Sequence, residues 1–125
     1  MQPPIKSHEI LVVDDSAEMR EVMIEALRDD AGNFVMEARS AETALDIMKY
    51  FLFSAVITDV DMPGMNGIEF AQIIKNKYPQ TGIILVTGSH EPDIADTAHE
   101  MGIERIIKPF AMSVLMQKLE RLLGK

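Results

Sequence analysis

Apolar residues along this chain fall into two alternating patterns. Short, nearly continuous runs occur at Ile10–Val13, Phe34–Met36, Ala55–Thr58, Ile83–Thr87 and Ile103–Ile107. Four of the five are rich in Val and Ile, as strands covered on both faces should be, and the second is weaker. Between them the apolar positions recur at helical spacing. Met19, Val22, Met23, Ala26 and Leu27 form one stripe. Ser40 is placed to cap a helix carrying Ala41, Ala44, Leu45 and Met48. Asn66 and Glu69 have the spacing of a capping box, opening a helix that runs to Lys77 with Pro79 beyond it. Pro92 suits the first turn of a fourth helix ending at Met101, with Gly102 after it. Leu115, Leu119 and Leu122 stripe a fifth helix and leave Lys118 and Arg121 for water.

A strand–helix unit repeated five times predicts a parallel sheet with right-handed crossovers and helices on both faces. Among doubly wound α/β folds this size suits the flavodoxin-like three-layer sandwich, strand order 2-1-3-4-5. With 125 residues and 14.0 kDa, residues 1–125 make one domain with one core. Hydrophobic residues at 47% and charged residues at 26% are globular proportions. The absence of Cys removes disulfides, thiolate zinc sites and cysteine nucleophiles. The ten Met residues lie mostly on the helical stripes, where adaptable packing accounts for them. No apolar run approaches a membrane span, and Met1–His8 has no apolar core of a signal peptide, so a cytoplasmic chain with no membrane contact is expected.

Charge changes this picture locally. Residues 1–61 hold 13 Asp and Glu against 5 Lys and Arg, which is the whole net charge of −8, while residues 62–125 hold 7 of each. Neither half offers a basic surface to a phosphate backbone, which argues against direct nucleic-acid binding. In a parallel sheet the C-terminal strand ends share one edge, and sites form there where strand order reverses. The first strand ends in Asp14-Asp15, where Asp15 or Ser16 can cap the following helix. The third ends in Thr58-Asp59-Val60-Asp61, the fourth in Thr87-Gly88-Ser89 and the fifth in Lys108-Pro109-Phe110. The second, ending in Ala38-Arg39-Ser40, is an ordinary approach to a helix.

Each of these residues has a bland explanation alone, as cap, β-former or solvated rim. Together they bring several carboxylates, a hydroxyl and an ammonium to one mouth. Two carboxylates about 4 Å apart repel by roughly 4 kcal/mol at an effective dielectric near 20, so such a mouth must take up protons, splay or bind a cation. An all-oxygen donor set favours Mg²⁺. His8, His90 and His99 are scattered without ligand spacing and are assigned to the surface. A divalent cation beside a carboxylate, a hydroxyl and a lysine is equipment for phosphoryl transfer, which needs positioning and charge neutralisation more than covalent help. Asp59, on the strand beside strand one, is the best-placed acceptor. Lys108 then pairs with the phosphoryl group as a point charge, and Thr87 donates its hydroxyl to a phosphoryl oxygen.

Leu11-Val-Val-Asp-Asp15, Asp59-Val-Asp-Met-Pro-Gly-Met-Asn-Gly67, Val86-Thr-Gly88 and Lys108-Pro-Phe110 resemble, in order and over residues 8–124, the signature segments of response-regulator receiver domains. The resemblance implies that Asp59 is the phosphoacceptor, charged from a phosphohistidine on a sensor histidine kinase or phosphotransfer protein. It implies that Asp15, Asp59 and the backbone carbonyl of Asp61 hold Mg²⁺, with Asp14 acting mainly through a metal-bound water. It assigns Thr87, Gly88 and Lys108 to sensing the phosphoryl group and implies a cis bond before Pro109. The fourth helix, fifth strand and fifth helix become the output surface. Such a protein is no enzyme towards other substrates and promotes only its own phosphorylation and dephosphorylation. Many receivers carry Tyr or Phe three residues before the lysine; here the position is Arg105, whose head is expected in water or near Asp93, Asp96 or Glu104. Switching is then expected to work through the loop from Gly88 to Pro92 and the fourth helix.

The alternative is a phosphatase of the haloacid-dehalogenase type, with Asp59 as nucleophile and Asp61 as general acid. That family opens with this strand and places further acidic ligands downstream, whereas here the acidic pair lies upstream. A receiver-like module that never takes phosphate is argued against by the joint presence of Asp14, Asp15, Asp59, Thr87 and Lys108. These residues contain no helix-turn-helix, cyclase or transmitter segment, so output is expected through a partner or through sequence beyond them.

Overall fold

A computed structural model describes residues 8–29, 32–88 and 92–124. Its elements are β1 (Glu9–Val13), α1 (Ala17–Asp29), β2 (Phe34–Ala38), α2 (Ala41–Met48) and β3 (Ala55–Asp59), followed by α3 (Gly67–Lys77), β4 (Gly82–Thr87), α4 (Pro92–Met101), β5 (Glu104–Ile107) and α5 (Met112–Leu122). The five strands form one parallel sheet in the order β2-β1-β3-β4-β5. This is the predicted flavodoxin-like sandwich. Strand two runs further than its apolar run, to Ala38, and β3 takes in Asp59. β5 begins at Glu104, because Ile103 precedes its pairing with β4.

Successive strand residues point to opposite faces, so each strand serves two cores. Ile10 and Val12, with Ile57, Ile84, Val86 and Ile106, meet Met23, Ile24 and Leu27 of α1 and Leu115 and Leu119 of α5. Leu11, Val13, Val56, Ile83 and Leu85 meet Ala41, Ala44 and Met48 of α2, Phe70, Ala71 and Ile74 of α3, and Ala98 of α4. Both faces are therefore dry, which is why the strands read as continuous apolar runs.

The caps follow their sequence signals. Thr43 N–H donates to Ser40 Oγ at 3.1 Å. Asn66 and Glu69 form the reciprocal capping box, at 2.9 and 3.3 Å. At α1 the cap is Ser16, whose Oγ accepts from Met19 N–H at 3.3 Å. Such caps each contribute about 1 kcal/mol.

Three expectations need correction. Val22 is 52% exposed and Ile24 takes the buried place, because Val22 turns to an open groove of about 580 Å³ between α1 and Pro109-Phe110. Lys118 is not free in water: its Nζ lies 3.2 Å from Glu104 Oε2, with Arg121 Nη1 at 3.7 Å from Oε1. His8 is half-buried, its Nε2 covered and without a hydrogen bond among the described residues. His99 is exposed as expected; Ser89 and His90, with the loop that holds them, lie outside the described residues. No helix among the described residues is long and apolar enough to cross a membrane.

Candidate functional site

β1 and β3 are neighbours, and their C-terminal ends deliver Asp14, Asp15 and Asp59 to one place. A carboxylate oxygen from each lies within 4.8 Å of the others. Asp14 and Asp59 are buried and Asp15 is exposed. β5 ends beside β4, and Lys108 N–H donates to Thr87 O at 2.7 Å, which carries the lysine towards the same mouth. Its Nζ lies 3.4 Å from Asp59 Oδ2 and 3.6 Å from Asp14 Oδ2. The Lys108–Pro109 bond is cis.

Each acid is held by local backbone. Ser16 N–H donates to Asp14 Oδ1 at 2.8 Å, and Asp14 N–H donates to Ala38 O at 3.2 Å. Asp61 N–H donates to Asp59 Oδ1 at 3.4 Å. The Thr58 hydroxyl donates to Asp59 O at 3.0 Å. Gly67 opens α3 against this strand end, donating its N–H to Val60 O at 2.8 Å. A Cβ there would collide with the Asp59 carbonyl and with Val60 Cα, so only glycine lets α3 approach so closely.

Burial pushes the Asp59 carboxyl above its ordinary value; Lys108 pulls it back and Asp14 pushes it up again. Among the described residues Asp14 Oδ2 is buried with no hydrogen bond, since the lysine at 3.6 Å is an ion-pair neighbour only. A buried oxygen left over in this way, inside an all-oxygen acidic set, fits a hard divalent cation such as Mg²⁺. Asp14, Asp15 and Asp59 offer carboxylates for it.

The structure brings Asp14, Asp15, Asp59 and Lys108 into one cluster. Thr87 is buried at the end of β4 and Gly88 follows it exposed. Asp61 is exposed two residues beyond Asp59. Arg105 lies apart on edge strand β5, opposite Leu85 and half-buried. Among the described residues it pairs with none of Asp93, Asp96 and Glu104; Glu104 is taken by Lys118 and Arg121, which leaves water as the remaining arm of the expectation.

Sequence reasoning missed two supporting groups. Arg20, on α1, donates from Nη1 to Asp14 O at 2.7 Å and from Nε to Glu37 Oε1 at 2.8 Å. Glu42, on α2, accepts from Met65 N–H at 3.0 Å and so fastens the loop after β3. Charged residues on polar helix faces carry no sequence signal for such distant partners. The ordinary-looking end of β2 thus contributes Glu37 and the Ala38 carbonyl.

Comparison with known proteins agrees with this geometry. Residues 10–120 match the family model described as the response regulator receiver domain. A chemotaxis protein CheY homolog of Campylobacter jejuni is 37% identical over 119 residues, covering 92% of each chain. Chemotaxis protein CheY-3 of Vibrio cholerae is 32% identical over 120 residues, 94% of this chain and 92% of the relative. Among solved structures, the chemotaxis response regulator CheY4 of Vibrio cholerae superposes with a TM-score of 0.85 at 30% identity, over 94% of this chain and 100% of that one. The phosphatase alternative is not favoured.

Proposed function

The chain belongs to the response regulator receiver domain family, and from that premise we propose that residues 1–125 act as one Mg²⁺-dependent phosphoacceptor domain. The observation that carries the proposal is the convergence of Asp14, Asp15 and Asp59 around the Lys108 ammonium. Asp59 is the acceptor. One of its oxygens forms the new P–O bond with its own electron pair while the P–N bond of a donor phosphohistidine breaks. The P–N bonding pair stays on the imidazole nitrogen, and with a proton on the other ring nitrogen the donor leaves as neutral histidine.

Asp14, Asp15, Asp59 and the Asp61 backbone carbonyl hold Mg²⁺, which when bound supplies neutralisation of phosphoryl charge. Lys108 gives up its contact with the Asp59 carboxylate and pairs with a phosphoryl oxygen. Thr87 and Gly88 sense the same group, the first by its hydroxyl. The response passes to the surface of α4, β5 and α5, and so to an output partner. The donor is a sensor histidine kinase or phosphotransfer protein, and the exchange takes place in the cytoplasm. No other substrate is turned over.

The test is to incubate the protein with acetyl phosphate or phosphoramidate, with and without Mg²⁺, and follow intact mass. A single hydroxylamine-labile phosphoryl group that requires Mg²⁺ and is absent from Asp59→Asn is the expected result. Labelling that survives in Asp59→Asn, or that needs no divalent ion, would overturn the assignment.

A further inference from the structure

We propose that Arg20 is a positioning residue for the metal-binding carboxylates, acting through the Asp14–Asp15 peptide; the inference rests on the receiver reading above. Arg20 touches neither a phosphoryl group nor a carboxylate of the acidic cluster. Its Nη1–H donates to the Asp14 carbonyl at 2.7 Å, and its Nε–H donates to Glu37 Oε1 at 2.8 Å. The side chain is 15% exposed, so this is a mostly covered fork spanning the end of β1 and the neighbouring β2.

The position of the accepting oxygen gives the contact its consequence. Asp14 O and Asp15 N belong to one rigid peptide plane, because the bond between them has partial double-bond character. Holding Asp14 O therefore fixes the plane from which the Asp15 Cα departs. Asp14 itself is over-determined: its N–H is on Ala38 O, its Oδ1 accepts from Ser16 N–H, and its carbonyl is on Arg20. Asp15 is the opposite case. It is exposed, and among the described residues its carboxylate has no hydrogen bond. Its direction relative to Asp14 and Asp59 is set by the peptide that Arg20 grips.

Charge alone is a poor account of this arrangement. The guanidinium is already paired with Glu37, and a lysine would bring the same charge. Only the planar fork reaches a carbonyl and a carboxylate from one side chain in fixed directions. Outer contacts that orient metal ligands are typically worth about tenfold or more in metal affinity.

The experiment titrates Mg²⁺ alone into the unphosphorylated full chain, following backbone amide shifts, and separately measures labelling by phosphoramidate against Mg²⁺ concentration. Arg20→Ala is expected to weaken Mg²⁺ affinity by about tenfold. Its labelling rate at saturating Mg²⁺ should recover to that of the parent, and Arg20→Lys should rescue little. Glu37→Ala, which loosens the fork from a half-exposed position, is expected to weaken Mg²⁺ binding in the same direction but less, and keeps the test open if Arg20→Ala does not fold. Unchanged Mg²⁺ affinity in folded Arg20→Ala or in Glu37→Ala, or complete rescue by Arg20→Lys, overturns the inference while leaving the receiver reading intact. A parent chain that binds no Mg²⁺ overturns both.

Discussion

Lys108 Nζ stands 3.4 Å from Asp59 Oδ2, so the carboxylate proposed as the acceptor already has a cation partner. The same ammonium is 3.6 Å from Asp14 Oδ2, and it is the charge that lets two buried acids share one mouth. A lysine in this position neutralises the acids, and under the proposed function it must leave them to engage a phosphoryl group. Removing it should therefore separate metal binding from switching. Lys108→Ala is expected to bind Mg²⁺ at least as tightly as the parent, because the ion no longer competes with an ammonium. It should also lose the propagation of phosphorylation into α4 and β5. Amide shifts there that still respond fully to phosphorylation in the variant would contradict this.

Asp59 itself should cost the fold stability. Its carboxyl is raised above the ordinary value, chiefly by burial, so between the unfolded and folded values the native state holds the extra proton. Stability falls as pH rises through that window, and the penalty persists at neutral pH. Asp59→Asn removes the charge and is expected to raise Tm at pH 7 without Mg²⁺, with the gain vanishing at a pH below the ordinary aspartate value. A domain of this size moves by about 3–6 °C per kcal/mol, which calorimetry resolves. A lower Tm for Asp59→Asn at pH 7 would mean that the lysine outweighs burial.

Gly67 and Gly88 flank the site and should respond unequally to the same substitution. Gly67→Ala drives a Cβ into the Asp59 carbonyl and Val60 Cα, backbone that cannot give way without moving Asp59. It is expected to cost about 1–3 kcal/mol, as overpacking does. Gly88→Ala meets nothing within 4 Å among the described residues and should stay within about 0.5 kcal/mol of the parent. Urea unfolding midpoints compare the two, and equal midpoints would show that α3 can retreat from β3.

These contrasts show which parts of the molecule were legible in the sequence. The strands and helices follow from apolar runs and stripes, because strands covered on two faces must be written almost wholly in Val, Ile and Leu. The sheet order follows from the fold that suits five such units, and the single expected core is two, one on each face of the sheet. Asp14, Asp15, Asp59, Thr87 and Lys108 could be placed at one mouth because a parallel sheet gathers all its strand ends along one edge. Arg20, Glu37 and Glu42 could not, since each reaches its partner by a long side chain over a distance that no periodicity encodes. Val22 fits the α1 stripe by spacing, yet the adjoining groove leaves it exposed. Helical period names a face, and only packing decides how wide that face is.

Glu42 gives the fold a pH-sensitive fastening. Its carboxyl is held below the ordinary value, first by the Met65 N–H and then by its own backbone N–H. A depressed carboxyl contributes stability above its unfolded value and loses that contribution as pH falls through the lower folded value. Hydrogen exchange at the Met65 amide should therefore accelerate in Glu42→Ala at pH 7. In the parent it should accelerate, relative to intrinsic exchange, as pH drops below the ordinary glutamate range. Glu42→Gln keeps an acceptor and should retain part of the protection. Exchange that ignores both substitutions would free the loop from α2.

Arg105 stands three residues before the lysine, where the resemblance to receiver domains implies an aromatic ring. It sits on the edge strand opposite Leu85, two residues before the Ile107 that faces Thr87. Glu104 beside it is engaged by Lys118 and Arg121, and among the described residues no carboxylate pairs with it. A guanidinium without a partner is too costly to bury, so its stem covers the strand while its head stays hydrated. It is not expected to rotate inward behind Thr87 as a ring would. Comparison of unphosphorylated and beryllofluoride-bound structures should show the Arg105 head solvated in both, with Thr87 moving independently of it. Arg105→Ala is then expected to leave the rate of Asp59 labelling unchanged. An activated structure in which the head packs inward and loses water, or a variant whose labelling slows with Mg²⁺ affinity intact, would place Arg105 in the switch itself.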